Sequence, residues 1–205
     1  MNFSKEEISL YKKLNTPHKI QDYLDSLPFN FEEKGETCYS PRMVIKNKKA
    51  LCLEGAFLAA AALMYHGKSP LLMNLKVKRG DDDHTVALFK ENGYWGAISK
   101  TNHGVLRWRD PVYRSVRELA LSYFNEYFLI KNGRKTLIGY SKPIDLSKYG
   151  KSWVTSNEDL WDIAHDIYYM AHEKIIPDQN KKMIRRAHRI EQVSAALSEW
   201  VKSKK

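Results

Sequence analysis

The sequence predicts an α+β fold in which helices pack on an antiparallel sheet, and three observations support this. Helix start signals occur at two places in the first 27 residues. A long, largely apolar run follows at about 52–65, and after Pro70 the hydrophobic period changes to the two-residue alternation of strands. Helical patterns return after about residue 155. This separation of helices from strands is typical of α+β domains.

The N-terminal helices are predicted from their caps. Ser4 with Glu7 is a capping box, and Thr16 before Pro17 is an N-cap followed by proline at the first helical position. We therefore expect one helix over about residues 5–14 and a second that continues to about residue 26.

The next part of the chain leads into the apolar helix. Residues 28–45 contain the breakers Gly35 and Pro41, so we expect an irregular or extended segment. The apolar helix then begins at Cys52 and ends at Gly67, a residue suited to a left-handed C-cap.

The strands form at least one hairpin. Alternation predicts a strand over 71–78, and the runs 84–90 and 94–99 flank Asn92-Gly93. Asn-Gly between two strand-like runs is the strongest short-range hairpin signal. We therefore expect these two strands to pair directly.

The remaining elements carry weaker signals. A further strand is expected to end before Pro111, and Ser115 is expected to cap the helix that follows. Thr155 with Glu158 has the pattern of a capping box, and a basic helix is expected from about Asp178. These patterns divide the chain into an α+β domain over 1–145 and a basic, helical C-terminal extension over 146–205.

Composition limits the class of protein. With 205 residues and 43% apolar residues, the chain is long enough to bury a sizeable core. Its longest apolar run is too short to span a bilayer, and the N-terminus lacks the pattern of a signal peptide. Two cysteines cannot build a disulfide framework. We therefore expect a cytoplasmic protein without a membrane span, whose thiols are free for chemistry.

The net charge of +10 raises the question of nucleic-acid binding. Residues 174–205 contain nine Lys or Arg and three acidic residues, and so carry +6 of that charge. No nucleic-acid-binding motif accompanies the excess. A solvated basic face is therefore the favoured interpretation, with nucleic-acid binding as an alternative.

Cys52 and His84 are the candidate catalytic residues. Only the thiolate of a cysteine is strongly nucleophilic, and a helix N-terminus favours that anion and supplies free N–H groups. Cys52 stands at such a terminus, whereas Cys38 has no helix start predicted for it. His84 begins the first hairpin strand, 32 residues after Cys52. No second histidine lies at metal-ligand spacing, so neither a metal nor a cofactor is expected.

Two stretches resemble a known family. "NKKALCLEGAFLAAAALMYHGKSPLLMNLKV" resembles the nucleophile helix and next strand of the transglutaminase-like branch of papain-like thiol enzymes. "DDDHTVALFKENGYWGAIS" resembles that family's histidine strand and the aromatic-led strand after it. The resemblance covers about residues 40–100. It implies that Cys52 attacks an amide or acyl bond of a peptide, protein or small molecule, with His84 as general base and then acid.

The third catalytic position departs from the family. The aspartate that orients the family's histidine falls on Ser99 here. A two-residue hairpin loop would place Ser99 on the same face as His84, and a three-residue loop would place Asn102 opposite it. Asn102 is favoured because its carbonyl is the better acceptor, but neither residue is a carboxylate. A degenerate binding or scaffold module therefore stays open as an alternative.

A further site residue is predicted only weakly. Asn47, shortly before Cys52, is a weak candidate as an oxyanion donor, although a loop cap is the favoured role.

Overall fold

The computed structural model describes residues 2–202. The helices are α1 (Lys5–Lys13), α2 (Pro17–Ser26), α3 (Pro41–Asn47), α4 (Cys52–Tyr65), α5 (Val116–Ser122), α6 (Trp161–Tyr169) and α7 (Arg189–Ala195). The strands are β1 (Leu71–Val77), β2 (His84–Glu91), β3 (Tyr94–Ile98), β4 (Arg109–Tyr113), β5 (Leu137–Ser141), β6 (Ile144–Asp145) and β7 (His172–Lys174). Short 3-10 helices cover Leu146–Tyr149, Ser152–Thr155 and Asp178–Met183.

The strands form one antiparallel sheet in the order β4-β3-β2-β1-β5-β7, with β6 paired to β1. This confirms the predicted α+β class with an antiparallel sheet. Within residues 2–202, no helix has both the length and the apolar character that crossing a bilayer requires.

Each face of the sheet carries its own core. Ala87 and Phe89 of β2 join the core around α4, which also contains residues of α1 to α3 and of α6. Val86 and Leu88 face the second core, which contains residues of α5. Because side chains alternate along a strand, His84 starts β2 on the second-core face and Thr85 on the α4 face.

Several local predictions are confirmed. Ser4 makes both hydrogen bonds of its capping box with Glu7, and Thr16 caps α2. Asn92 and Gly93 have φ of 48° and 89°, which is the left-handed conformation that a tight hairpin turn requires.

Two predictions about prolines are wrong. Pro41 does not break the chain; Ser40 caps α3 and Pro41 occupies its first turn, where a missing N–H costs nothing. Pro111 does not end a strand either, because it lies within β4. That strand lies at the end of the sheet order, where one side of its backbone needs no partner.

Two predicted helices differ from the structure. α6 begins at Trp161, not at a capping box of Thr155 and Glu158, because Glu158 donates its N–H to Ser156 instead. The continuous basic helix expected from Asp178 is replaced by a 3-10 segment and the short helix α7.

Residues 146–202, the described part of the expected extension, do not form a separate helical unit in this structure. β7 pairs with β5 and so completes the same sheet. Trp153, Ile163 and Ile167 are buried in the core around α4. The C-terminal region is therefore built into the core and sheet that the first 145 residues begin.

Gly55 offers a test of the packing between α4 and the end of β3. A Cβ added to Gly55 would lie 2.5 Å from Cβ of Lys100, whose ammonium is fixed by the carbonyls of Leu24 (2.8 Å) and Leu27 (2.5 Å). We expect Gly55→Ala to lower the free energy of unfolding by about 1–3 kcal/mol in urea titrations, because the lysine cannot move aside. Gly104→Ala is the control, since its nearest neighbours lie 3.8 Å away or more. Equal stability of the two variants would contradict this packing.

Candidate active site

Cys52 is the first residue of α4 and lines an open cleft of about 650 Å³. The residue as a whole is partly exposed, whereas Cys38 is buried. The first N–H groups of a helix have no partner within it and carry a partial positive charge. The thiol therefore lies where an oxyanion that develops beside it would meet helix N–H groups.

A buried carboxylate fixes the start of this helix. Glu54 is completely buried and accepts hydrogen bonds from the side chains of Asn30 (3.1 Å) and Thr37 (2.7 Å). It also accepts from the backbone N–H groups of Tyr39 (3.0 Å) and Leu51 (2.8 Å). These bonds tie α4 to the segment before α3 and hold Cys52 at the edge of the cleft.

The thiol is protonated at neutral pH. Burial raises the pKa of Cys52 to about 11, and the negative charges of Glu54 and Asp82 act in the same direction. The backbone N–H groups of Thr85 and Leu53 oppose this change without cancelling it. Any nucleophilic attack by Cys52 near pH 7 therefore needs a base to take its proton.

The imidazole of His84 is held by a hydroxyl group. His84 Nε2 lies 2.8 Å from Ser99 Oγ, and the Ser99 hydroxyl donates to the Leu106 carbonyl at 2.6 Å. Because a carbonyl can only accept, the Ser99 proton is committed to Leu106 and its oxygen accepts from Nε2–H. The neutral imidazole therefore keeps its lone pair on Nδ1.

The imidazole is neutral as well. Burial lowers the pKa of His84 to about 4, and the positive charges of Arg109 and His103 lower it further. The Leu106 carbonyl acts in the opposite direction but is the weaker influence. Thiol and imidazole are thus a neutral pair around pH 7, not a thiolate and an imidazolium.

The two groups approach the same peptide unit from different sides. The thiol of Cys52 lies against the N–H of Thr85, which belongs to the peptide joining His84 to Thr85. His84 leaves the strand on the second-core face, and α4 packs on the other. Among the hydrogen bonds of residues 2–202, none joins this thiol to the imidazole.

The hairpin register decides between the two candidates for the third position. Glu91 pairs with Tyr94, so the loop has two residues, and Ser99 is the residue that contacts His84. The preference for Asn102 is corrected: its side chain exchanges hydrogen bonds with the backbone of Trp200 at 2.8 and 3.0 Å.

Asn47 is also placed away from the thiol. It is exposed and donates to the Met43 carbonyl within α3, so its favoured role as a local cap fits the structure. Cys38 lies in the core around α4, where burial raises the pKa of its thiol to about 12.

Sequence reasoning missed most of the cleft. Besides Cys52, the cleft is lined by Asn74 and Thr85 of the sheet, which are joined by a side-chain hydrogen bond of 3.2 Å, and by one face of α6. Asp83 also lines it and is paired with Lys76 at 2.8 Å. The aromatic residues of α6 were the sequence feature that could have indicated this wall of the cleft. Because they are far from Cys52 in the sequence, their position beside it could not be predicted.

Comparison with known proteins identifies the N-terminal part of the chain. Residues 3–102, just under half of the 205, match the model of a family described as a transglutaminase-like domain. This segment contains Cys52, His84 and Ser99 and is assigned to the transglutaminase-like superfamily. No curated protein matches the chain.

Proposed function

We propose that the protein is a transglutaminase-like thiol enzyme that acts on an amide or acyl bond, with Cys52 as nucleophile and His84 as base. The observation that supports this most directly is the position of Cys52, which starts α4, lines a cleft and lies against the peptide that carries His84. Cys52 lies on α4 and His84 on β2.

The reaction follows from the protonation states. As the sulfur of Cys52 attacks the carbonyl carbon, its proton passes to Nδ1 of His84 and the carbonyl oxygen takes up negative charge near the helix N–H groups. The imidazolium then returns the proton to the leaving amine or alcohol, which leaves a thioester. Water or a second amine attacks that thioester, and the thiol is regenerated. His84 leaves β2 on the face opposite α4, so this transfer requires a water molecule to carry the proton or a rearrangement at the start of β2 when substrate binds.

Ser99 and Leu106 take the role of the family's aspartate in this proposal. They fix the tautomer and direction of the imidazole, but they add no negative charge to stabilise the imidazolium. We therefore infer a slower reaction than a carboxylate partner would support.

A small activated ester tests the proposal. With p-nitrophenyl acetate at pH 7, we expect release of nitrophenol and a transient acetyl group that peptide mapping locates on Cys52. Cys38→Ser is the matched control and should behave as the wild type, whereas Cys52→Ser should lose both signals. Acetylation at other residues only, or equal nitrophenol release by the Cys52→Ser variant, would overturn the proposal.

The second candidate is a degenerate binding module with the same fold. It is favoured by one observation, the neutral hydroxyl of Ser99 in place of a carboxylate beside His84. In that case Cys52 would react with the ester no faster than a free cysteine does once both rates are corrected for thiolate content.

A further inference from the structure

One wall of the Cys52 cleft is a group of exposed aromatic side chains on α6. Trp161 is 47% exposed, Tyr168 is 53% and Tyr169 is 70%, and all three line the cleft together with Cys52. Large aromatic side chains seldom cluster in solvent on one short helix without a partner, because covering them is favourable.

The three rings are not equally free. The ammonium of Lys76 lies 3.6 Å from the centre of the Tyr168 ring, and the Tyr169 ring packs against His165 at 4.5 Å. The indole of Trp161 makes no ring contact with the described aromatic residues. Trp161 is therefore the ring most available for stacking, and Tyr169 offers a second exposed edge.

The lining of the cleft is apolar beside Cys52 and along part of α6, and polar where the sheet contributes Asn74 and Thr85. Leu53, which follows Cys52, lines it together with Ala164 and Ile167 of α6. A group bound between Trp161 and Leu53 would leave water for an aromatic and aliphatic surface. The cleft thus suits a flat apolar group attached close to the atom that reacts with the sulfur.

This wall lies outside the family match. The transglutaminase-like segment ends at residue 102, and α6 begins at Trp161. Cys52 thus comes from the matched segment, whereas the aromatic surface beside it comes from the C-terminal region.

We propose that the Cys52 cleft selects acyl donors that carry an aromatic group next to the reacting carbonyl, and that Trp161 and Tyr169 provide the selection. The donor would place its carbonyl at the sulfur and its ring against the indole. This substrate class rests on the proposed function, because it assumes that Cys52 reacts with an acyl group.

Two alkylating reagents with the same reactive group test the selection directly. Iodoacetamide and N-benzyl iodoacetamide both form a thioether with Cys52 and release iodide, and they differ only in the benzyl group on the amide nitrogen. The quantity measured is the ratio of their second-order rate constants at Cys52, by intact mass, divided by the same ratio for N-acetylcysteine. Because both rates contain the same thiol reactivity, a slow thiol does not change this ratio.

We expect the normalised ratio to favour the benzyl reagent by about fivefold in the wild type, the size of effect that one aromatic contact gives. Trp161→Ala and Tyr169→Ala should each lower the ratio, and the double variant should bring it close to one. Tyr94→Ala is the matched control, because Tyr94 is an exposed aromatic residue on β3 that does not line the cleft. Trp161→Phe keeps a ring at the same position and should keep most of the preference.

The outcomes separate this inference from the proposed function. A wild-type ratio near one would overturn the aromatic selection, even if p-nitrophenyl acetate acetylates Cys52. A ratio that the Trp161 and Tyr169 variants leave unchanged would overturn the role of α6. A clear preference that these variants abolish would support the binding surface even if the ester fails to react.

Discussion

Replacement of His84 by glutamine is expected to slow the acetylation of Cys52 by p-nitrophenyl acetate about 10²–10⁴-fold at pH 7. The reason is the protonation state of the thiol. With a pKa of about 11, only about one Cys52 in ten thousand is a thiolate at pH 7. If Nδ1 of His84 takes the proton during the attack, the neutral thiol also reacts, and the variant loses that route.

The pH dependence of the rate separates a base from a merely structural residue. In the wild type we expect a nearly constant rate from about pH 5 to pH 9, since His84 is neutral above its pKa of about 4 and the thiol keeps its proton. In His84→Gln, only the thiolate reacts. Its rate should therefore rise about tenfold per pH unit until the pKa of Cys52 is reached.

Ser99→Ala is the matched control for this experiment. It leaves the imidazole in place but removes the acceptor at Nε2, so we expect a smaller loss, about tenfold, with the wild-type pH profile retained. Urea unfolding of each variant checks that the fold persists. A wild-type rate that already rises tenfold per pH unit would show that His84 does not act as a base.

Features encoded within a few neighbouring residues could be predicted from the sequence. The capping box of Ser4 with Glu7 and the hairpin turn at Asn92-Gly93 each depend on backbone conformations that only a few residue types favour. The position of Cys52 at a helix start is of the same kind. These local signals were enough to find the helix and strand that carry the two candidate catalytic residues.

The partner of the imidazole could not be predicted in full, because part of it is backbone. Leu106 adopts a left-handed conformation with φ of 62°, and its N–H is bound by Glu126 at 2.8 Å. That conformation presents the Leu106 carbonyl to Ser99. The position of a backbone carbonyl is not encoded by any one residue type, so a comparison of side-chain acceptors alone favours Asn102. In the structure the Asn102 side-chain amide instead donates to the backbone carbonyl of Trp200.

The contacts of the C-terminal region could not be predicted for a different reason. The clearest feature of this region in the sequence is its positive charge, and charged side chains report on the surface and not on buried contacts. Two contributions of this region to the structure are Trp161, which lines the cleft, and β7, which adds a strand beside β5. Both depend on contacts between residues far apart in the chain, and sequence periodicity carries no information about such contacts.

His84 is also expected to make the protein less stable in acid. It is 5% exposed, and its pKa falls from 6.5 to about 4 in the folded protein. A group whose pKa is lowered by folding stabilises the protein fully above its unfolded pKa and loses that contribution as the pH falls. We therefore expect His84 alone to account for a loss of about 3 kcal/mol in the free energy of unfolding between pH 6.5 and pH 4.

Urea titrations of the wild type and His84→Gln across this pH range isolate the contribution. Carboxylates titrate in both proteins, so the difference between the two curves reports His84. The variant is expected to be less stable at pH 7 but to lose less stability on acidification. His172→Gln is the comparison, because burial and Lys76 lower the pKa of that half-buried histidine as well, and we expect it to have the smaller effect. Parallel curves for the wild type and His84→Gln would show that folding does not lower the pKa of His84. The proposal that His84 is a neutral base at pH 7 would then have no support.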